Sequence, residues 1–298
     1  APTYRLEVGT AANADAILDI ALDGRGHPAG PGLGFLGGDY DHEYWHAPEN
    51  QLCAIVLSEP DDPEADAADA AEALYRKLIR TLGESRFGYP LRLWNYFPAI
   101  NHGNNDQERY RRFCVGRGKA LEDAGLNDAR MCAATAIGSQ QAFMQLVALV
   151  GISPGVSIEN PRQVSAWNYP RRYGPRQPAF ARATGIDLAD GRAGLLISGT
   201  ASVIGHATAH PGDALAQTDE AASNLDALLG HAAVVMNRPN LARFNGESLA
   251  RVYVRHAEDW PAIEQRLRRR WPVLKLCALR GDICRSDLLV EIEAWHTA

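Results

Sequence analysis

The chain has 298 residues, 46% hydrophobic and 22% charged, which describes a globular protein with apolar material for one large domain or two ordinary ones. A formal charge of -6 leaves no global basic field to collect phosphates, so nucleic acid is not an expected partner; a local basic pocket for a small dianion stays open. The cysteines Cys53, Cys114, Cys132, Cys277 and Cys284 are irregularly spaced with no CxxC, which suits reduced thiols in the cytoplasm better than a disulfide framework.

The opening Ala1-Pro2-Thr3-Tyr4 has no basic region ahead of an apolar stretch, so no signal peptide is expected. No apolar run approaches ~18 residues, so no membrane span is expected either. Residues 4–10 alternate and predict a first strand; 13–22 have helical spacing with Asn13 as cap. Residues 24–50 are rich in Gly, Pro, Asp and His and read as a long loop, a length that usually signals function or mobility. Strand 51–58, helix 63–82, strand 91–98, helix 106–124 and strand 131–137 follow, an order that fits an α/β layer.

The second half repeats the pattern. Residues 146–152 and 162–168 read as strands, 169–176 as a turn and 194–203 as a strand. Helix 213–229 is capped by Asp213, strand 249–255 follows, and helix 259–270 is capped by Asp259. Strands 274–279 and 288–296 close the chain. The expected fold is α/β (α+β) with two similar α/β sandwich halves, residues 1–138 and 139–298, divided near Gly138–Gln141.

Two motifs are discounted. His42-Glu43-Tyr44-Trp45-His46 matches H-E-x-x-H, whose zinc chemistry needs both histidines on one helix face. Here it sits between Gly37-Gly38 and Ala47-Pro48, where only a short, marginal helix fits. Gly32-Leu33-Gly34-Phe35-Leu36-Gly37 matches G-x-G-x-x-G but lacks the preceding strand and following helix that nucleotide binding requires. No metal and no organic cofactor is expected.

Arginine and tyrosine gather at strand ends and turns, where guanidinium forks and phenol hydroxyls bind carboxylates. Arg109, Arg111 and Arg112 read as solvated surface charges. Arg117 differs, because i, i+4, i+7 spacing puts it on one helix face with Tyr110 and Cys114, and that face should point inward. A buried arginine is rarely left without a partner. In the last strand Leu288, Val290 and Ile292 share one face, and Leu289, Glu291 and Glu293 share the other. Spacing alone does not choose between the two carboxylates as an acid.

Several stretches together resemble the chorismatase family: Asn95-Tyr96-x-Pro98-x-Ile100-Asn101, Tyr110-x-x-Phe113-Cys114-x-Gly116-Arg117, Glu159-Asn160-Pro161-Arg162-Gln163-Val164-Ser165-Ala166, Tyr173-Gly174-Pro175-Arg176 through Phe180-Ala181-Arg182-Ala183-Thr184, Ser198-Gly199-Thr200-Ala201-Ser202, and Asp282-Ile283-Cys284-Arg285-x-Asp287-Leu288-Leu289-Val290-Glu291-Ile292-Glu293. The resemblance implies cleavage of the enolpyruvyl ether of chorismate with release of pyruvate. It also implies a C-terminal half similar to the RidA (YjgF) fold, whose last strand carries a Glu-Ile-Glu pattern with the first Glu catalytic. That position is Glu291 here. Carboxylate-binding roles fall on Tyr110, Arg117 and the Tyr169/Arg172 turn. Cys284 and Ala201 resemble the branches that form 3-hydroxybenzoate, alone or with 4-hydroxybenzoate. The alternatives are hydrolysis to 3,4-dihydroxycyclohexa-1,5-diene carboxylate and a RidA-like imine deaminase. Two halves in one chain could supply both sides of a site, so a monomer or a small homo-oligomer is expected.

Overall fold

The structure, a computed structural model, describes residues 52–128, 131–188 and 190–298 in full and residues 4–7, 34–39 and 42–47 as backbone. The strands begin with β1 (Tyr4–Glu7), β2 (Gly34–Asp39), β3 (His42–Ala47), β4 (Leu52–Pro60), β5 (Tyr89–Pro98), β6 (Ala133–Ser139) and β7 (Phe143–Gly151). They continue with β8 (Val156–Ile158), β9 (Ala183–Asp187), β10 (Ala193–Ala201), β11 (Val203–Ile204), β12 (Ala207–Thr208), β13 (Leu249–Val254), β14 (Lys275–Arg280), β15 (Asp282–Ile283) and β16 (Val290–Thr297). One seven-stranded sheet runs β15-β6-β5-β7-β4-β3-β2 and a second runs β1-β14-β13-β16-β10-β9-β8.

Helices α1 (Ala67–Glu84) and α2 (Arg109–Asp123) cover the first sheet, and α3 (Ala214–Val235) and α4 (Trp260–Arg270) the second. Apolar side chains sort accordingly. Ile55, Leu93 and Leu146 meet Leu74, Leu78 and Phe113 of the first helix pair. Leu195, Val252 and Ile292 meet Leu225, Leu228 and Ile263 of the second. A third cluster, with Trp94, Tyr96, Val147, Leu196 and Tyr253, fills the space between the sheets. The order of layers is helix, sheet, sheet, helix, so strands buried on both faces read as near-continuous apolar runs. This is the expected α/β architecture of two sandwich halves.

Helices α1 and α2 pack closely because both are small at the crossing. A Cβ on Gly116 would lie 2.0 Å from the Ala68 carbonyl oxygen, so a larger residue there would force the helices apart. Helix α1 begins at Ala67, four residues later than 63, because the Asp66 carboxylate caps it through the Ala68 amide. Asp213 caps α3 through the amides of Leu215 and Ala216. Asp259 does not cap α4: it sits in helical geometry at the end of a 3-10 turn and makes no side-chain cap bond. No described helix is long and apolar enough to cross a membrane.

Other expectations need correction. Residues 34–39 and 42–47 are not loop; they pair as antiparallel strands that extend the first sheet beyond β4. H-E-x-x-H therefore lies on a strand, without the helix its zinc reading requires. Residues 162–168 form no strand but a single bridge, Gln163 to Gly205, and then a 3-10 turn at Ala166–Asn168. The Asn160 side chain folds back onto the Arg162 amide and sets that turn-rich path. Strands β8 and β9 were not foreseen. The expected boundary near 138–141 falls between β6 and β7, both members of the first sheet, whereas β8 is the first strand of the second sheet after them. The helix expected over 13–22 and the strand over 8–10 lie outside the described residues.

Candidate active site

The site is floored by β16. Its even-numbered residues Val290, Ile292 and Ala294 pack toward α3 and α4, so Glu291 and Glu293 point between the sheets. Glu291 stands between Ala201 of β10 and Tyr253 of β13 in the ladder. The β10 register slips between Ile197 and Thr200, a bulge of the kind that re-aims side chains beside active sites. Gly199 lies in that bulge, and a Cβ there would fall 1.9 Å from the Glu291 Oε1 atom. The carboxyl therefore occupies space that only glycine leaves free.

The bulge also joins the two sheets. Strand β15 pairs with β6 only at Ile137 and Gly138, so upstream β6 amides find partners in the other half. The Ala133 amide donates to the Thr184 hydroxyl at 2.8 Å, and the Ala134 amide to the Ser198 hydroxyl at 2.9 Å. The Gly199 amide donates to the Thr135 hydroxyl at 2.9 Å in return.

Above this floor lies a cavity with about 850 Å³ of empty space out to its mouth, lined from both halves of the chain. Helix α2 supplies Tyr110 and Arg117, β10 supplies Gly199 and Ala201, and the loop before β16 supplies Cys284 and Arg285. Among the described residues, three of the guanidinium groups that line it make no carboxylate salt bridge. Arg117 is buried with its ring neighbour Phe113 at 5.0 Å and its Nε atom unpaired. Arg182 is buried, with Nη2 donating to the Tyr169 hydroxyl at 2.9 Å and the Val164 carbonyl at 2.8 Å. Arg285 lies over the Tyr173 ring at 4.2 Å and donates to the His206 carbonyl at 3.0 Å. Cations buried this way favour an anionic guest, ideally one with more than one carboxylate.

Glu291 is 5% exposed. Burial, reinforced by the negative charge of Glu293, pushes its carboxyl up to about 8, against the opposing pull of Arg92 and Arg182. The balance favours the neutral carboxylic acid over the carboxylate near neutrality. Glu293 is held differently: Arg92 donates to its Oε2 at 2.5 Å, Trp94 Nε1 to its Oε1 at 2.9 Å, and Arg251 and the Thr135 hydroxyl complete the set. Burial, together with the Glu291 carboxyl, drives the Cys284 thiol well above its ordinary value, so it stays protonated. Burial does the same to the Tyr110 phenol, which remains a neutral donor.

The cavity brings together Glu291, Cys284, Tyr110, Arg117, Tyr169 and Ala201. Arg172 does not belong with them. It is exposed and turns to the Tyr173 hydroxyl and His206 Nδ1. Its guanidinium lies over the Tyr173 ring at 5.1 Å, and it is Tyr173, not Arg172, that lines the cavity. Sequence reasoning passed over Arg182 and Arg285 as site residues. Arg285 directly follows Cys284, and Arg182 lies in the Phe180–Thr184 motif, so both carried a signal. Arg109, expected on the surface, is 2% exposed and bonds Asp61 at 2.5 Å, anchoring α2 to the end of β4.

Comparison with known proteins places this arrangement. Residues 27–150 match the family model described as Chorismatase FkbO/Hyg5-like, N-terminal. A 3-hydroxybenzoate synthase of Streptomyces hygroscopicus is 40% identical over 84% of this chain and 74% of its own length. A chorismatase of Streptomyces rapamycinicus is 40% identical over 76% of this chain and 69% of its own. A chorismatase crystal structure superposes with a TM-score of 0.77 at 33% identity, covering 90% of this chain and 80% of that one. With two sandwich halves enclosing a buried carboxyl and cavity-lining arginines, and with relatives matched along most of its length, the chain belongs to the chorismatase family.

Proposed function

We propose that the chain cleaves the enolpyruvyl ether of chorismate, releasing pyruvate and 3-hydroxybenzoate, alone or with 4-hydroxybenzoate, with Glu291 as the proton donor. The observation that carries this reading is the meeting, in one cavity, of a buried carboxyl with three arginines that make no carboxylate salt bridge among the described residues. The names of the relatives point to the same chemistry.

Chorismate is a dicarboxylate, and Arg117, Arg182 and Arg285, with Tyr110 and Tyr169, offer two carboxylates charge-assisted and neutral donors. An enol ether cleaves once its methylene carbon is protonated, which yields an oxocarbenium ion. Glu291 delivers that proton and is left as a carboxylate. The ring 4-hydroxyl oxygen then attacks C3 and displaces the pyruvyl oxygen, giving up its proton and bridging C3 and C4; its C4–O bond breaks, the oxygen regains a proton, and loss of the C3 proton, with the Glu291 carboxylate as acceptor, gives 3-hydroxybenzoate. Direct loss of the C4 proton as pyruvate departs gives 4-hydroxybenzoate. Neither route consumes water, and aromatisation supplies the driving force, so the step needs no electron carrier. Cys284 and Ala201, on the cavity wall near Glu291, shape the space in which the routes diverge. Irregularly spaced cysteines without a CxxC favour the cytoplasm as the compartment, and a cavity lined from both halves of one chain favours a working monomer.

Incubation with chorismate and separation of the products tests the reading. Equal amounts of pyruvate and hydroxybenzoate are expected, with Cys284→Ala changing the ratio of 3- to 4-hydroxybenzoate. Diene diol as the main product would replace the aromatising route by hydrolysis. Absence of pyruvate would remove chorismate as the substrate.

A further inference from the structure

The Glu293 carboxylate lies between the sheets in a dense set of hydrogen bonds, and proton donation by Glu291 does not use it. Five donors converge on it: Arg92 and Arg251, Trp94 Nε1, the Tyr253 hydroxyl at 3.3 Å and the Thr135 hydroxyl. They come from β5, β13 and β6, so both sheets contribute. Both guanidinium groups lie on the Trp94 ring, at 4.8 Å for Arg92 and 5.0 Å for Arg251. All three charged groups are at most 4% exposed. Tyr96 and Tyr253 bond one another at 2.9 Å, and Arg251 Nη1 reaches the Tyr96 hydroxyl at 3.2 Å.

Two cations against one carboxylate leave this buried cluster with a surplus positive charge. Glu291 is the next carboxyl along the same strand face, about 6.6 Å away at strand spacing. Its other charged or titratable neighbours are Arg182, Cys284 and Tyr253. A buried guanidinium released from Glu293 would take up the nearest carboxyl and displace its proton. The Thr135 hydroxyl closes the other path. It accepts from Arg92 and from the Gly199 amide and gives its single proton to Glu293, so it has none left for Glu291 or for substrate.

We propose that Glu293 is a positioning residue for the proton donor: it captures the guanidinium groups of Arg92 and Arg251 and so keeps both cations from pairing with Glu291. This rests on the reading of Glu291 as the acid, and it extends the work of the final strand to both carboxyls. One binds two arginines as an anion so that the other stays neutral.

The test is a direct titration of the Glu291 carboxyl by difference infrared spectroscopy on the full chain, with Glu291→Gln subtracted to assign the band. Parent protein and Glu293→Gln are compared, and the pH dependence of pyruvate release is measured beside it. In the parent the Glu291 band is expected to titrate near 8. In Glu293→Gln it should titrate at least ~1 pH unit lower, since one unit is a tenfold change in protonation equilibrium. The alkaline limb of kcat/KM should move with it. A merely structural role would lower the rate at all pH values and leave the limb in place. Should Glu293→Gln not fold, the charge-balanced double variant Glu293→Gln with Arg251→Gln releases Arg92 alone and is expected to shift the band in the same direction. A parent value near 8 with no downward shift in the folded variant overturns the proposal and leaves the acid assignment standing. An ordinary carboxyl value in the parent overturns the acid assignment and the proposal together.

Discussion

A carboxyl that protonates carbon must still hold its proton when substrate arrives. Glu291 meets that condition through burial and the charge of Glu293. Its folded pKa is raised, so the proposed acid form is fully populated well below about 8 and is lost as pH rises through that value. Because kcat/KM reports the free enzyme, we expect it to be level near neutrality and to fall about tenfold per unit well above the pKa. A profile falling already between pH 4 and 5 would contradict the raised acid. The role proposed for Arg117 is in binding. Replacing it with Ala leaves a substrate carboxylate unpaired and is expected to raise KM at least tenfold, about 1.4 kcal/mol or more, in steady-state assays. An unchanged KM would remove it from the site. Glu291 and Arg117 were legible because strand and helix periodicity fixed their faces and the family resemblance weighted them. Arg182 and Arg285 stood in the quoted motifs but were passed over, because loop residues carry no periodicity from which direction can be read.

Among the elements, the bulge in β10 does most to set the geometry. Gly199 gives its Cβ space to the Glu291 carboxyl and its amide to Thr135. Gly199→Ala must move the carboxyl or the strand, so a loss of at least a hundredfold in kcat is expected while the melting temperature drops by only a few degrees. Parent-like turnover would show that the carboxyl position is not critical. The bulge was not legible, because Ser198-Gly199-Thr200-Ala201 alternates no differently from an unbroken strand. The long helices and central strands were legible from apolar period and caps. Strand β9 was not: Gly185 has no side chain to signal a strand, and a Cβ there would fall 2.4 Å from the Met236 sulfur. The Gly-rich hairpin of β2 and β3 hid for a similar reason.

Across the whole molecule, the cavity exists only because two sandwiches face each other. We place the division after β7, within residues 152–155, rather than near 138–141, since β7 lies between β4 and β5. The halves share more than a surface. Residues Asp282–Ile283 of the second half pair with β6 of the first, and Glu293 takes donors from both. A fragment of residues 152–298 would leave Glu293 without Arg92 and bare the inter-sheet cluster. It is expected to bind hydrophobic dye and to unfold without a cooperative transition, read by fluorescence and circular dichroism. A fragment melting sharply like the parent would show the halves to be independent.

The central claim is that Glu291 supplies the proton that releases pyruvate. It is tested most directly by Glu291→Gln, with chorismate binding followed by calorimetry and pyruvate release by a coupled assay. We expect chorismate affinity within a few-fold of the parent and a loss of at least ~10³ in kcat, the scale of a positioned general acid. Pyruvate release at the parent rate from a variant that binds chorismate normally would contradict the account.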